Sequence, residues 1–135
     1  MILASTTVTG TTGYAQAIST SSHLLKSDEP EKRGGTNTGP SPFELLLASL
    51  GACTAITLRM YSERKQWDLG TIDVTLRLLK DGDGPQRIER KLMFSVALNE
   101  EQRAKMLEIA DKTPVTKALA TGMAIQTSIE NAVQI

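Results

Sequence analysis

Cys53 is the only thiol in the chain, and it sits in the run Gly51-Ala52-Cys53-Thr54-Ala55. A thiol does chemistry when it is held as thiolate and can be reached; buried among apolar neighbours it is inert. The small residues around Cys53 leave space beside the sulfur. That space suits a substrate slot, and it equally suits close approach of another helix. Two charged residues are candidates to act on the thiol. Arg90 has the strand parity of Ile88 and Leu92, so it shares an apolar face, where a charge needs a partner. It reads either as a cation that holds a thiolate or carboxylate, or as an arginine near a strand end that reaches back to water. Glu44 precedes Cys53 by nine residues, about 13 Å along a helix at 1.5 Å per residue. It therefore cannot touch Cys53 within one helix. A role at the site needs a second chain or a returning loop; otherwise Glu44 closes a helix cap.

Other chemistry is poorly supplied. His23 is the only histidine and lies in a polar stretch. One Cys, one His and a carboxylate fall short of the four ligands of a structural zinc site, so no metal is expected. The run GGTNTGPSP (34–42) precedes a helix start, a place where an anion can bind. It lacks the GxxxxGK[ST] spacing of a nucleotide-binding loop.

The elements that must position these residues follow from local pattern. β-branched residues beside glycine turns predict strands near 2–9, 13–19 and 21–25. Residues 26–40 turn charged, then rich in Gly, Asn and Pro, which predicts a loop. Ser41-Pro42-Phe43-Glu44 is a helix start, with a serine cap, proline at the first position and a glutamate at the third. The helix should run to about Lys65, its first half apolar nearly all round and so buried on most faces. Alternation over 71–79 and 86–98 around DGDGP (81–85) predicts an antiparallel hairpin. Asn99 opens a helix that Pro114 should end near Lys112. A short helical turn over 115–120 and a final strand over 123–130 complete the series.

Strands, a long helix, a hairpin, a helix and a strand make an α+β fold, not alternating βαβ units. With 135 residues, 40% of them hydrophobic, the chain reads as one domain, 1–135, with a real core. Fifteen basic residues balance fifteen acidic ones. That neutrality speaks against nucleic acid and against a polybasic membrane surface. The apolar stretch 43–58 is shorter than the roughly 20 residues of a bilayer span, and residues 1–12 lack the basic and apolar regions of a signal peptide. A lone cysteine forms no internal disulfide, so a reducing cytoplasm is the expected compartment. The all-round apolar helix is too much for so small a domain to cover. A second copy of the chain is the expected cover, giving an extensive homodimer.

Taken together, the run from Gly34 through GTNTGPSPFELLLASLGAC to Cys53 and on to Leu58 resembles the OsmC/Ohr superfamily. Arg87-Ile-Glu-Arg90 and Lys112-Thr-Pro-Val115 also look like that family, in the same order of elements. The resemblance implies an OsmC-like fold: antiparallel sheets around a long central helix, in an intertwined homodimer. It implies reduction of organic hydroperoxides, with Cys53 as the nucleophile that becomes a sulfenic acid. No cofactor is implied beyond an external thiol reductant. The family's resolving cysteine, usually in a Cys-Pro segment, corresponds here to Thr113, which cannot form a disulfide. The catalytic glutamate of the Ohr branch falls at Phe43, whereas Glu44 matches the acid of a neighbouring OsmC-like branch. Residues 1–32 hold no arginine, so Arg33 and Arg90 are the nearest candidates to substitute for the family's thiolate-holding cation. Cys53, Glu44 and Arg90 are thus the candidate catalytic set, with Phe43 and Thr113 lining the pocket. The alternative is a non-catalytic dimer that binds a small apolar or thiol-reactive ligand.

Overall fold

The computed structural model of the chain describes residues 1–130. It opens with three short antiparallel strands, β1 (Thr7–Thr9), β2 (Gln16–Ser19) and β3 (Leu24–Ser27), lying side by side in that order. Ile18 is paired with Val8 on one side and Leu25 on the other. These strands are shorter than the sequence pattern suggests. The chain turns over residues 10–15, where Gly13 takes a left-handed φ of +66° that other residues adopt only with strain.

α1 (Pro42–Arg64) begins where the cap signature places it. The Ser41 backbone N–H donates to Glu44 Oε1 at 2.9 Å, and the Glu44 N–H donates to Ser41 Oγ at 3.3 Å. Two otherwise orphaned donors are thereby satisfied. Only one stripe of α1 is fully buried: Leu50, Gly51, Thr54, Leu58 and Ser62. The expectation of a helix buried on most faces does not hold within one chain. Ile56 and Met60 remain about half exposed. By length and composition alone α1 meets the measure of a bilayer span, a test that the core helix of a soluble protein also passes; here β4, α2 and α3 pack on it. Gly51 lets it approach β4: a Cβ there would stand 2.8 Å from Leu76 Cδ1.

β4 (Ile72–Lys80) and β5 (Gln86–Phe94) form a nine-pair antiparallel hairpin from Ile72↔Phe94 to Lys80↔Gln86. β5 stops short of residue 98. The Ser95 hydroxyl accepts from the Thr71 N–H at 2.7 Å, and the chain then leaves the hairpin for Asn99, the cap of α2 (Glu100–Ala110). Thr113 caps α3 (Pro114–Thr121). Leu58, Leu69 and Met106 make the buried centre, ringed by Tyr61, Trp67, Ile72, Leu92, Phe94 and Ile109.

The expected strand over 123–130 does not form. Those residues are exposed, and no strand lies beside them among the described residues. Apolar alternation is not sufficient for a strand, because its N–H and C=O groups need a neighbour to bond. Among the described residues, three α-helices with two small antiparallel sheets make the α+β class the element order implied.

Candidate functional site

The structure brings Arg90 to the helix that carries Cys53. Arg90 sits opposite Leu76 in the β4–β5 register, on the face turned to α1, and its side chain is only 14% exposed. Its partners are mainly hydroxyls. One guanidinium nitrogen, Nη1, donates to Thr54 Oγ1 at 3.0 Å and to Thr116 Oγ1 at 2.8 Å. The other, Nη2, reaches Asp111 at 3.4 Å, a carboxylate that is 82% exposed. Arg90 therefore ties β5 to α1 and to α3 at once.

The threonines are themselves fully engaged. Thr54 Oγ1 donates back to the Leu50 carbonyl at 2.7 Å. Thr116 Oγ1 donates to the Ala110 carbonyl at 3.1 Å and lies 2.6 Å from Thr113 Oγ1. Each hydroxyl has one proton. All the bonds close only if Thr113 donates to Thr116 while accepting from the Thr116 N–H at 3.3 Å. Thr113 is completely buried; it is the cap of α3 and stands one hydroxyl behind Arg90.

Cys53 is half-buried on α1, next in sequence to Thr54. Its carbonyl accepts from the Thr57 hydroxyl at 2.7 Å. Three residues back is Leu50, which with Phe43 and Leu46 forms one wall of an open groove of about 450 Å³. Leu78, Ile88 and Leu119 form the other walls, and Arg90 and Thr116 lie at its edge. Cys53 does not line this groove, but the three-residue step from Leu50 puts it on the same helix ridge.

Glu44 is not brought to Cys53. Its carboxylate is engaged by the Ser41 N–H, which with the Ser41 side chain holds it below the ordinary glutamate value. It borders a second hollow of about 470 Å³ with Phe43, Arg33 and Leu78. Phe43 and Leu78 line both hollows. Among the described residues no cluster of His, Cys, Asp and Glu has the makings of a metal site.

Sequence reasoning found Arg90 but not Thr54 and Thr116, which hold it. The signal was present: a charge on an apolar face needs acceptors, and a threonine in an apolar helix needs a use for its hydroxyl.

An arginine clamped by hydroxyls, an apolar groove and a half-buried thiol on one central helix, set in two small antiparallel sheets and their helices, define an α+β fold of the OsmC-like kind. Residues 35–128 match the model of the OsmC-like protein family, so the chain belongs to that family. Solved structures agree on the fold. A Psychrobacter arcticus 273-4 protein, provisionally described as osmotic stress induced and of the detoxification response, is 18% identical, with TM-score 0.76 over 87% of this chain and 89% of that one. The organic hydroperoxide resistance protein OsmC of Legionella pneumophila is 17% identical, with TM-score 0.64 over 88% and 91%. The organic hydroperoxide resistance protein OhrB of Bacillus subtilis is 24% identical, with TM-score 0.58 over 87% and 90%. Comparison with curated protein sequences finds no match.

Proposed function

We propose that the chain reduces organic hydroperoxides with Cys53 as its only thiol, in a cycle that draws both reducing equivalents from external thiols. The observation that carries this reading is the adjacency of Cys53 to Thr54, whose hydroxyl holds the Arg90 guanidinium at 3.0 Å. That contact ties a fixed cation to the helix that carries the thiol. The sulfur attacks the distal peroxide oxygen, the O–O bond breaks, and the alkoxide leaves as an alcohol after taking a proton. Cys53 is left as a sulfenic acid. One external thiol then displaces water to give a mixed disulfide, and a second releases Cys53 and an external disulfide. The sum is ROOH + 2 R′SH → ROH + H₂O + R′SSR′.

The apolar groove beside Phe43 and Leu50 suits the organic part of the substrate. Phe43 joins the groove to the neighbouring hollow that Glu44 borders, and Thr113 supports Arg90 through Thr116. A second copy of the chain completes the molecule in this reading: Ile56 and Met60 on α1, and Met123, Ile125 and Ile129 beyond α3, are exposed apolar side chains that a homodimer would cover. A lone thiol working with external reductant fits a reducing compartment such as the cytoplasm.

Stopped-flow consumption of cumene hydroperoxide with a dithiol, wild type against Cys53→Ser, tests the proposal. Loss of consumption in the variant supports it; equal rates overturn it. A second reading, a binding protein without turnover, is favoured by one observation: Thr113, which the resemblance sets at the resolving position, is fully buried and carries no thiol. It predicts ligand-dependent stabilisation with no peroxide consumption.

A further inference from the structure

The loop between β3 and α1 is folded around one buried carboxylate that the thiol chemistry does not use. Asp28 is 2% exposed. Its Oδ1 accepts the Glu29 N–H at 2.7 Å. Its Oδ2 accepts the N–H groups of Thr36 and Thr38 at 3.3 and 3.1 Å, and their hydroxyls at 2.7 and 2.8 Å. Asn37, between the two threonines, takes a φ of +54° to let both turn inward. The wrapping leaves no room: a Cβ on Gly35 would stand 2.0 Å from the Glu29 carbonyl oxygen, and one on Gly39 2.9 Å from the Lys26 backbone. The Asp28 N–H and the Ser27 hydroxyl both donate to the Pro40 carbonyl, at 3.1 and 2.9 Å. Pro40 directly precedes the Ser41 cap, so the same knot fixes where α1 begins. The first turn of α1 carries Phe43, a wall of the groove, and Phe43, Glu44 and the loop's Arg33 together border the second hollow.

We infer that Asp28 is a positioning residue, which holds the β3–α1 loop and the start of α1 so that Phe43 keeps its wall of the groove in its binding shape. The inference rests on the reading of the groove as the substrate site. Decanoate is a suitable probe, with one apolar chain for the leucines and one anionic end for the arginines. In Cys53→Ser protein, Asp28→Asn is expected to weaken decanoate binding about tenfold, the scale of a displaced wall rather than a lost contact. Thr36→Ser with Thr38→Ser keeps both hydroxyls and should bind like the parent; Thr36→Val with Thr38→Val should bind more weakly. With Cys53 present, Asp28→Asn should raise KM for cumene hydroperoxide and leave kcat unchanged, a split that general loosening of the fold would not give. Binding unchanged in both Asp28→Asn and the valine pair, or no binding by the parent, overturns the inference. If Asp28→Asn does not fold, the serine and valine pairs decide it. Decanoate binding that depends on Asp28 in a chain without peroxide turnover supports the inference while removing the peroxidase reading.

Discussion

Thr116→Val keeps the shape of the side chain and deletes the one atom that joins Arg90 to α3. The Arg90–Thr116 bond is 2.8 Å long, and the guanidinium is 14% exposed. A hydrogen bond from a charged donor contributes about 1.5–3 kcal/mol. Residual exposure and the second hold on Thr54 bring the expected coupling to about 1–2 kcal/mol. The Arg90–Asp111 pair, at 3.4 Å with Asp111 82% exposed, should couple by under about 0.5 kcal/mol, as solvent-screened pairs do. The single Thr116→Val change also strips the Thr113 hydroxyl of its acceptor and the Ala110 carbonyl of its hydroxyl donor, so its raw cost mixes three losses. A double-mutant cycle removes that ambiguity. Arg90→Met crossed with Thr116→Val, and Arg90→Met crossed with Asp111→Ala, are to be followed by urea unfolding with matched slopes. Coupling larger for Asp111 than for Thr116, or near zero for Thr116, would refute the claim that hydroxyls hold this arginine.

Other expectations follow from single features. Thr113→Ala should cost about 0.5–2 kcal/mol by urea unfolding, because it removes the cap of α3. Leu58→Ala, at the fully buried centre, should cost about 2–5 kcal/mol; a smaller loss would mean that the surrounding apolar ring closes over the gap. Stability should fall as pH drops below the ordinary aspartate range. Hydrogen bonds from the Thr38 N–H and the Thr36 hydroxyl, chiefly, hold the Asp28 carboxyl well below its usual value, so in that range the unfolded chain binds more protons than the folded one. The contribution is present above the unfolded value and is lost towards the folded one. Asp28→Asn should flatten this acid limb in a pH series of unfolding midpoints, and an unchanged slope would count against the buried carboxylate.

Local signals in the sequence were strong where chain neighbours decide the structure. The Ser41–Glu44 cap, the Asn99–Gln102 cap and the helix after Pro114 all form as their residues dictate. The β4–β5 hairpin follows from alternation around a glycine-rich turn. The reading lost its hold where distant residues decide. Residues 123–130 have strand-like composition but no neighbour to bond. Half of α1 lacks the cover that its apolar surface suggested. The site divided in the same way. Arg90 betrayed itself by parity, since a charge among apolar positions must find partners. Its partners came from residues 36 and 26 positions away, a distance over which no local pattern speaks. Asp28 was invisible for the same reason, being an ordinary acid in a charged stretch until the loop closes on it.

The threonine at position 113 and the clamp on Arg90 belong to one arrangement. Thr113 must donate to Thr116 while accepting from the Thr116 N–H; that donation frees the Thr116 proton for the Ala110 carbonyl. Thr116 Oγ1 is then free to accept from the guanidinium. A cysteine at 113 would offer only a weak S–H donor and a larger, softer acceptor in a fully closed space. The Thr113 hydroxyl therefore completes the chain of bonds fixing Arg90 against the helix that carries Cys53. Under the peroxidase reading the two requirements compete. A thiol at this position would trap a sulfenic acid within the chain, whereas a hydroxyl holds Arg90 more firmly and leaves the sulfenic acid to external thiols. Thr113→Cys should accordingly loosen Arg90 rather than restore a two-cysteine cycle, and this would be measured as a smaller Arg90–Thr116 coupling in the same double-mutant cycle.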